Sequence, residues 1–256
     1  MAPSPDRVRV RLLQIRDREA VLAEEQASFR ARARLDAHQL IATNVLREPL
    51  DASLLDDADA LFIGGAGAYS VTETFGWTQP LVDLCQAAVD RGVPLFGSCW
   101  GHQFVARAFG GTVIADSARS EMGTHAVCLT DAGRADALFG TLPDTFGAQM
   151  GHHDRVAELP PGAVELAEND ANPFQAFRLA GAPVYGTQFH TELDEQTERS
   201  RLVTYRAYYP EMADDAVFQA TLDALRPTPD ADDLLRRFLL LYAVEDGPDR
   251  LAAGLA

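Results

Sequence analysis

Along the chain, apolar positions alternate between a two-residue and a helical rhythm. Residues 8–14, VRVRLLQ, alternate and then turn apolar, the mark of a strand entering a core. Residues 17–34 space Val21, Leu22 and Phe29 among Glu, Arg and Ala, which predicts a solvated amphipathic helix. A strand is expected over 40–46, and ALFIGG (60–65) reads as a short buried strand running into a glycine loop. Over 76–91, Trp77, Leu81, Leu84, Cys85 and Ala88 recur at helical spacing. VPLFG (93–97) is another buried strand, followed by a helix from about 101 to 109 that stops at Gly110-Gly111. Strands alternating with helices at these lengths predict an α/β fold with a largely parallel sheet.

The middle of the chain changes character. Short β-rich pieces at 123–130, 145–150, 163–168, 174–180 and 183–189 are separated by Gly, Pro, Asp and Asn, which predicts hairpins added to the sheet. Beyond residue 193 the pattern is helical. The expected organisation is a catalytic α/β unit over 1–195 and a C-terminal helical extension over 196–256 packed on it.

Composition narrows the chemistry. With 256 residues and 47% apolar content the chain can bury a sizeable core. A net charge of -16 argues against nucleic acid and anionic membrane as partners, since both are held by basic patches. No apolar run approaches the roughly 18 residues of a membrane span, and MAPSPDRVRVR carries no signal-peptide core, so a soluble, cytoplasmic protein is expected. Three cysteines make no disulfide framework. All 22 basic residues are arginine. Without lysine there is no Schiff base, no Ser-Lys dyad and no phosphate-binding P-loop, although GGAGAYS (64–70) is glycine-rich.

The sharpest feature is Gly97-Ser98-Cys99-Trp100-Gly101, a G-x-C-x-G run between a predicted strand and a predicted helix. This is the thiol form of a nucleophile elbow. The turn is so tight that glycine suits the positions two residues either side of the nucleophile. It places the sulfur at a helix N-terminus, where the dipole favours thiolate, and aims the Trp100 N–H at a developing oxyanion. Cys85 and Cys128, in apolar settings, are expected to be buried structural thiols. A thiol nucleophile needs an oriented imidazole. His190 ends a predicted strand, and on an extended segment Glu192 faces the same side and can hold the ring. Taken alone, a His-x-Glu pair also fits a solvated turn. Gly64 and Gly65 could bring a second oxyanion donor close, or form an ordinary turn.

GSCWGHQ, GTQFHTE and an upstream IGGAG together resemble the class I glutamine amidotransferase domain of the Cys-His-Glu type, over roughly residues 8–195. The resemblance implies a flavodoxin-like, mostly parallel sheet flanked by helices. It also implies Cys99 as nucleophile, His190 as base and then acid, Glu192 as its orienting group, and N–H groups of Gly65 and Trp100 as the oxyanion hole. Gly64 and Gln103 fall where the family contacts substrate. MGHHDRV (150–156) is similar to the SHGD segment of GMP synthetase amidotransferase domains, which makes His153 and Asp154 further substrate contacts. Ala66 stands where proline is usual, Gly151 and His153 replace Ser and Gly, and Trp100 replaces Leu or Tyr. Adjacent His152 and His153 face opposite ways on a strand, so no metal is expected, and no cofactor. The implied substrate is a small molecule, glutamine or a γ-glutamyl compound, and the candidate ammonia acceptor is a separate synthetase subunit. A γ-glutamyl peptidase is the second reading, and a catalytically silent binding module the third.

Overall fold

The computed structural model describes residues 2–245. The last part of the expected C-terminal extension, 246–256, lies outside them. In chain order the first half runs β1 (Val10–Ile15), α1 (Glu19–Ala33), β2 (Leu40–Asn44), β3 (Ala60–Ala66), α2 (Thr78–Asp90), β4 (Leu95–Ser98), α3 (Trp100–Ala108) and β5 (Thr112–Ala115). The middle comprises β6 (Glu121–Leu129), a one-turn α4 (Asp131–Arg134), β7 (Thr145–His152), β8 (Asp154–Glu158), β9 (Ala163–Glu168), β10 (Ala176–Leu179) and β11 (Val184–Thr187). Three helices follow: α5 (Glu195–Tyr205), α6 (Asp215–Asp223) and α7 (Leu234–Tyr242).

Nine strands form one sheet in the order β2-β1-β3-β4-β11-β10-β9-β6-β7. From β2 to β11 all neighbours are parallel. From β11 outward every pairing is antiparallel, so the predicted hairpins extend the same sheet. The parallel half has the flavodoxin-like order, in which ligands bind at the carboxyl ends of the strands. β5 and β8 pair separately as a small antiparallel ribbon. Neither stood out in the sequence, because each is short and only partly apolar.

Period-two alternation sends the parallel strands' side chains into two cores. On one face Val10, Leu12, Phe62 and Phe96 pack against Phe29 of α1 and Phe238 of α7. On the other, Leu13, Ile63 and Leu95 pack against Leu81 and Leu84 of α2 and Phe104 of α3. The Phe238 ring lies 5.3 Å from that of Phe96 and 6.1 Å from that of Phe62, so α7 fills the centre of its layer. Helix α1 differs from its expected solvated character: Glu25 is fully buried, with Arg16 and Gln14 bonded to it. Cys128, expected to be buried, is exposed. Val127 and Leu129 take the inward positions of β6, and alternation turns Cys128 outward beside the Thr145 hydroxyl.

Because Phe238 fills the aromatic centre of one layer, Phe238→Ala is expected to cost about 3–5 kcal/mol of stability. Equilibrium denaturant unfolding measures this, and a loss under about 1 kcal/mol contradicts the packing.

Candidate active site

Three adjacent parallel strands, β3, β4 and β11, end at one edge and bring the glycine pair, Cys99 and His190 together there. Cys99 follows β4 and caps α3 with φ 53° and ψ -105°, a left-handed conformation foreign to non-glycine residues. Its N–H donates to the Thr187 carbonyl at the end of β11, at 2.8 Å. The turn survives only with glycine on both sides. A side-chain carbon on Gly97 would strike the Gly101 backbone, and one on Gly101 would overlap the Ile63 carbonyl of β3. The elbow is thereby wedged between two strands of the sheet.

His190 follows β11 and is held by an isolated bridge to Gln149 of β7. Its ring lines a small chamber with Cys99, whose thiol donates to the Gly151 carbonyl at 3.9 Å, and is bonded through Nδ1 to Glu192 Oε1 at 2.7 Å. The second Glu192 oxygen accepts from the Ser98 hydroxyl at 2.6 Å. Both His190 and Glu192 are buried. Burial opposes charge on the imidazole, but the charges of Cys99 and Glu192 and its hydrogen bonds to both outweigh that and raise its pKa well above the usual value. Burial likewise opposes charge on Glu192, yet the His190 charge, hydrogen bonds from His190 and Ser98, and Arg201 pull its pKa down to about 2. An imidazole so held beside a thiol is the arrangement that cysteine nucleophiles require.

Most of the other expected site residues gather around a cleft beside Cys99 with about 400 Å³ of open space. Trp100, Gln103, His153 and Asp154 line it. Gln103 Nε2 donates to the Asp154 carbonyl and to Gln188 Oε1, leaving only the Gln103 side-chain oxygen to accept. Asp154 Oδ2 accepts from the Ser70 hydroxyl at 2.5 Å. The His153 ring packs edge-on against Tyr209, and its buried Nδ1 has no partner. His152 instead turns to Glu121, as alternation on a strand requires. Among the described residues no group of three or more His, Cys, Asp or Glu could hold a metal, and no helix is long and apolar enough to cross a membrane.

Gly64 and Gly65 sit deeper than the cleft wall, which Ala66 and Gly67 form. A side-chain carbon on Gly64 would lie 2.9 Å from Glu25 Oε1, and one on Gly65 2.8 Å from Arg16 Nη2 and 3.4 Å from His190 Cε1. The glycine pair thus lets the buried Arg16–Glu25 ion pair approach the back of the His190 ring.

A family model described as glutamine amidotransferase class-I matches residues 28–207. The chain belongs to that family. It is accordingly an enzyme of the cysteine amidohydrolase type, with the family's α/β fold. The chain is 38% identical over 135 residues to a glutamine-hydrolysing GMP synthase of Vibrio atlanticus, a match covering 53% of this chain and 24% of that protein. It therefore spans about a quarter of the length of such relatives. It is 31% identical over 153 residues to a protein of Archaeoglobus fulgidus whose name makes it one subunit of a glutamine-hydrolysing GMP synthase, covering 60% of this chain and 76% of that one. Among solved structures, a glutamine amidotransferase from Thermotoga maritima superposes with a TM-score of 0.70 at 20% identity, covering 93% and 99% of the two chains. One from Methylobacillus flagellatus gives 0.70 at 22%, covering 93% and 96%.

Residues that the sequence did not single out also lie against Cys99, His190 and Glu192. Ser98 was visible only as a polar residue ending an apolar strand. Glu198, Arg201 and Tyr205 of α5 share one helix face by their spacing, and that face lies over Cys99 and His190.

The Glu192 shift has a sign that can be tested. Its carboxyl is held near 2 in the folded protein against 4.5 ordinarily, so its contribution to stability is present above about pH 4.5 and is lost as pH falls toward 2. Glu192→Gln is expected to lose less stability than the wild type over that interval, measured by denaturant unfolding at a series of pH values. Equal losses contradict the ion pair.

Proposed function

We propose that this amidotransferase hydrolyses the side-chain amide of glutamine through a γ-glutamyl thioester on Cys99. The Cys99 thiolate adds to the amide carbon, and the His190 imidazolium gives its proton to the departing nitrogen as the C–N bond breaks. Water then attacks the thioester with neutral His190 as base, the C–S bond breaks, and glutamate leaves. Glu192 keeps Nδ1 protonated and the ring oriented. The Trp100 N–H, at the first position of α3 and without an intrahelical partner, serves the oxyanion. The observation that carries this reading is the buried Glu192–His190 pair beside a cysteine at a positive-φ elbow. Gln103 and Asp154 offer acceptors to the substrate ammonium, and His153 Nδ1 offers a polar contact to its carboxylate.

The family and the Archaeoglobus relative, named as one component of a synthase, support a role in which ammonia passes to a separate synthetase subunit. Reduced thiol nucleophiles suit the cytoplasm. The extension from 196 onward serves as a wall of the active site, because Tyr208, Tyr209 and Pro210 line the cleft. One observation favours the second reading, a hydrolase for larger γ-glutamyl compounds. The cleft continues past the nucleophile to Tyr69, Thr72 and Ser117, a volume in the range that holds drug-sized ligands.

Ammonia release from glutamine, with Cys99→Ala as control, tests the main reading. The variant is expected to lose on the order of 10⁴-fold or more in kcat. A glutamine-like diazoketone should modify Cys99 alone, with glutamine protecting it. If Cys99 reacts with iodoacetamide but ignores the diazoketone, the γ-glutamyl peptide reading replaces this one.

A further inference from the structure

Ala66, Cys99, Gly151 and Tyr209 line both the open cleft and a second, smaller chamber. The chamber holds about 20 Å³ of open space, room for one water-sized molecule. Its other walls include His190 and, from α5, Glu198 and Arg201. Two buried polar atoms on these side chains have no partner in the protein: Glu198 Oε1 and Arg201 Nη2. Glu198 is 1% exposed and Arg201 6%. Buried groups of this kind are normally satisfied, and a polar, water-sized hole between them is the ordinary way.

Gly151 locates the spot. The position a side-chain carbon would take there lies 3.6 Å from Glu198 Oε1, 3.7 Å from His190 Nε2 and 3.8 Å from Tyr209 Oη. A molecule beside that point touches the catalytic base, a carboxyl group and a phenol together, next to the sulfur that carries the acyl group. Resting on the glutaminase reading above, we propose that this chamber binds the water that hydrolyses the thioester, and that Glu198 is the positioning residue that aims it. Water fits better than ammonium, since Arg16 and Arg201 both face the chamber. In the step, one water O–H gives its proton to His190 Nε2 while the oxygen bonds to the thioester carbon and the C–S bond breaks. The other O–H donates a hydrogen bond to Glu198, which takes no proton. Burial, only partly countered by the charges of His190 and Arg201, pushes the Glu198 carboxyl up to about 7, so it carries less negative charge against the thiolate than an exposed glutamate would.

The test separates acylation from deacylation, by following the first-turnover burst of ammonia and the steady release of glutamate, with and without hydroxylamine. Glu198→Ala is expected to keep the burst rate within about threefold and to slow glutamate release by roughly tenfold or more, because a misplaced nucleophile is costly. The glutamyl-enzyme should then accumulate by intact mass, and hydroxylamine should restore turnover as γ-glutamyl hydroxamate. Glu198→Gln, which retains an acceptor oxygen, should recover most of the deacylation rate. Gly151→Ala, whose new methyl meets only ordinary contacts, should reproduce Glu198→Ala by filling the spot. Normal glutamate release from Glu198→Ala or Gly151→Ala overturns the proposal. So does an equal fall of burst and release, or a slowed burst with normal release, which would make the chamber the exit for ammonia. A wild-type protein that releases no ammonia from glutamine overturns the parent reading instead.

Discussion

The structure turns on one backbone constraint, the tight passage from β4 into α3 at Cys99. A non-glycine residue at φ 53° costs on the order of 1–3 kcal/mol and persists only where its surroundings over-determine it. Here they do. Gly97 and Gly101 let the helix start pack directly on the β3 backbone, and the Cys99 N–H is anchored to β11. The same two strands carry the glycine pair and lead into His190, so the contacts that hold the elbow also bring these residues toward the sulfur. Strand order then sets the location, because β3, β4 and β11 are consecutive neighbours whose carboxyl ends share one edge.

Around that turn the protein buries charge, which is costly unless every charge is answered. Glu192 answers His190 and is itself held by Ser98, while Arg16 pairs with Glu25 behind the glycine loop. Arg201 reaches from α5 to Glu24 and lies 3.8 Å from Glu25. The helices after β11 therefore belong to the electrostatics of the site as well as to its shape. α5 supplies ionisable side chains facing Cys99 and His190, and the short turns after it bring Tyr209 against the Gly151 carbonyl at 3.4 Å. α7 stands apart from this edge and completes one hydrophobic layer.

Much of this was legible in the residues. The two rhythms located the parallel strands and their helices to within a few positions, because those strands are buried on both faces and α2 and α3 carry clear apolar stripes. The elbow was legible because few uses of a cysteine require glycine on both sides at that spacing. What escaped was whatever depends on tertiary partners. Glu25 reads as one more solvated acid of α1, and only Arg16 and Gln14 at the end of β1 make its burial tolerable. Glu198 likewise lies in a helix whose composition is strongly polar, and nothing local says that its face closes over the nucleophile. Cys128 illustrates the converse error: an apolar run suggested burial, but at this end of the strand Ala126 and Cys128 face solvent on either side of the buried Val127.

The most direct test of the account is the protonation state of His190, followed by NMR of labelled histidine rings across a pH titration in the wild type and in Cys99→Ala. The account predicts one imidazole that keeps its proton well above the ordinary value of about 6.5, and whose pKa falls when the thiol is removed. A His190 ring that titrates at or below 6.5, with no change in Cys99→Ala, would contradict the imidazolium on which the proposed chemistry rests.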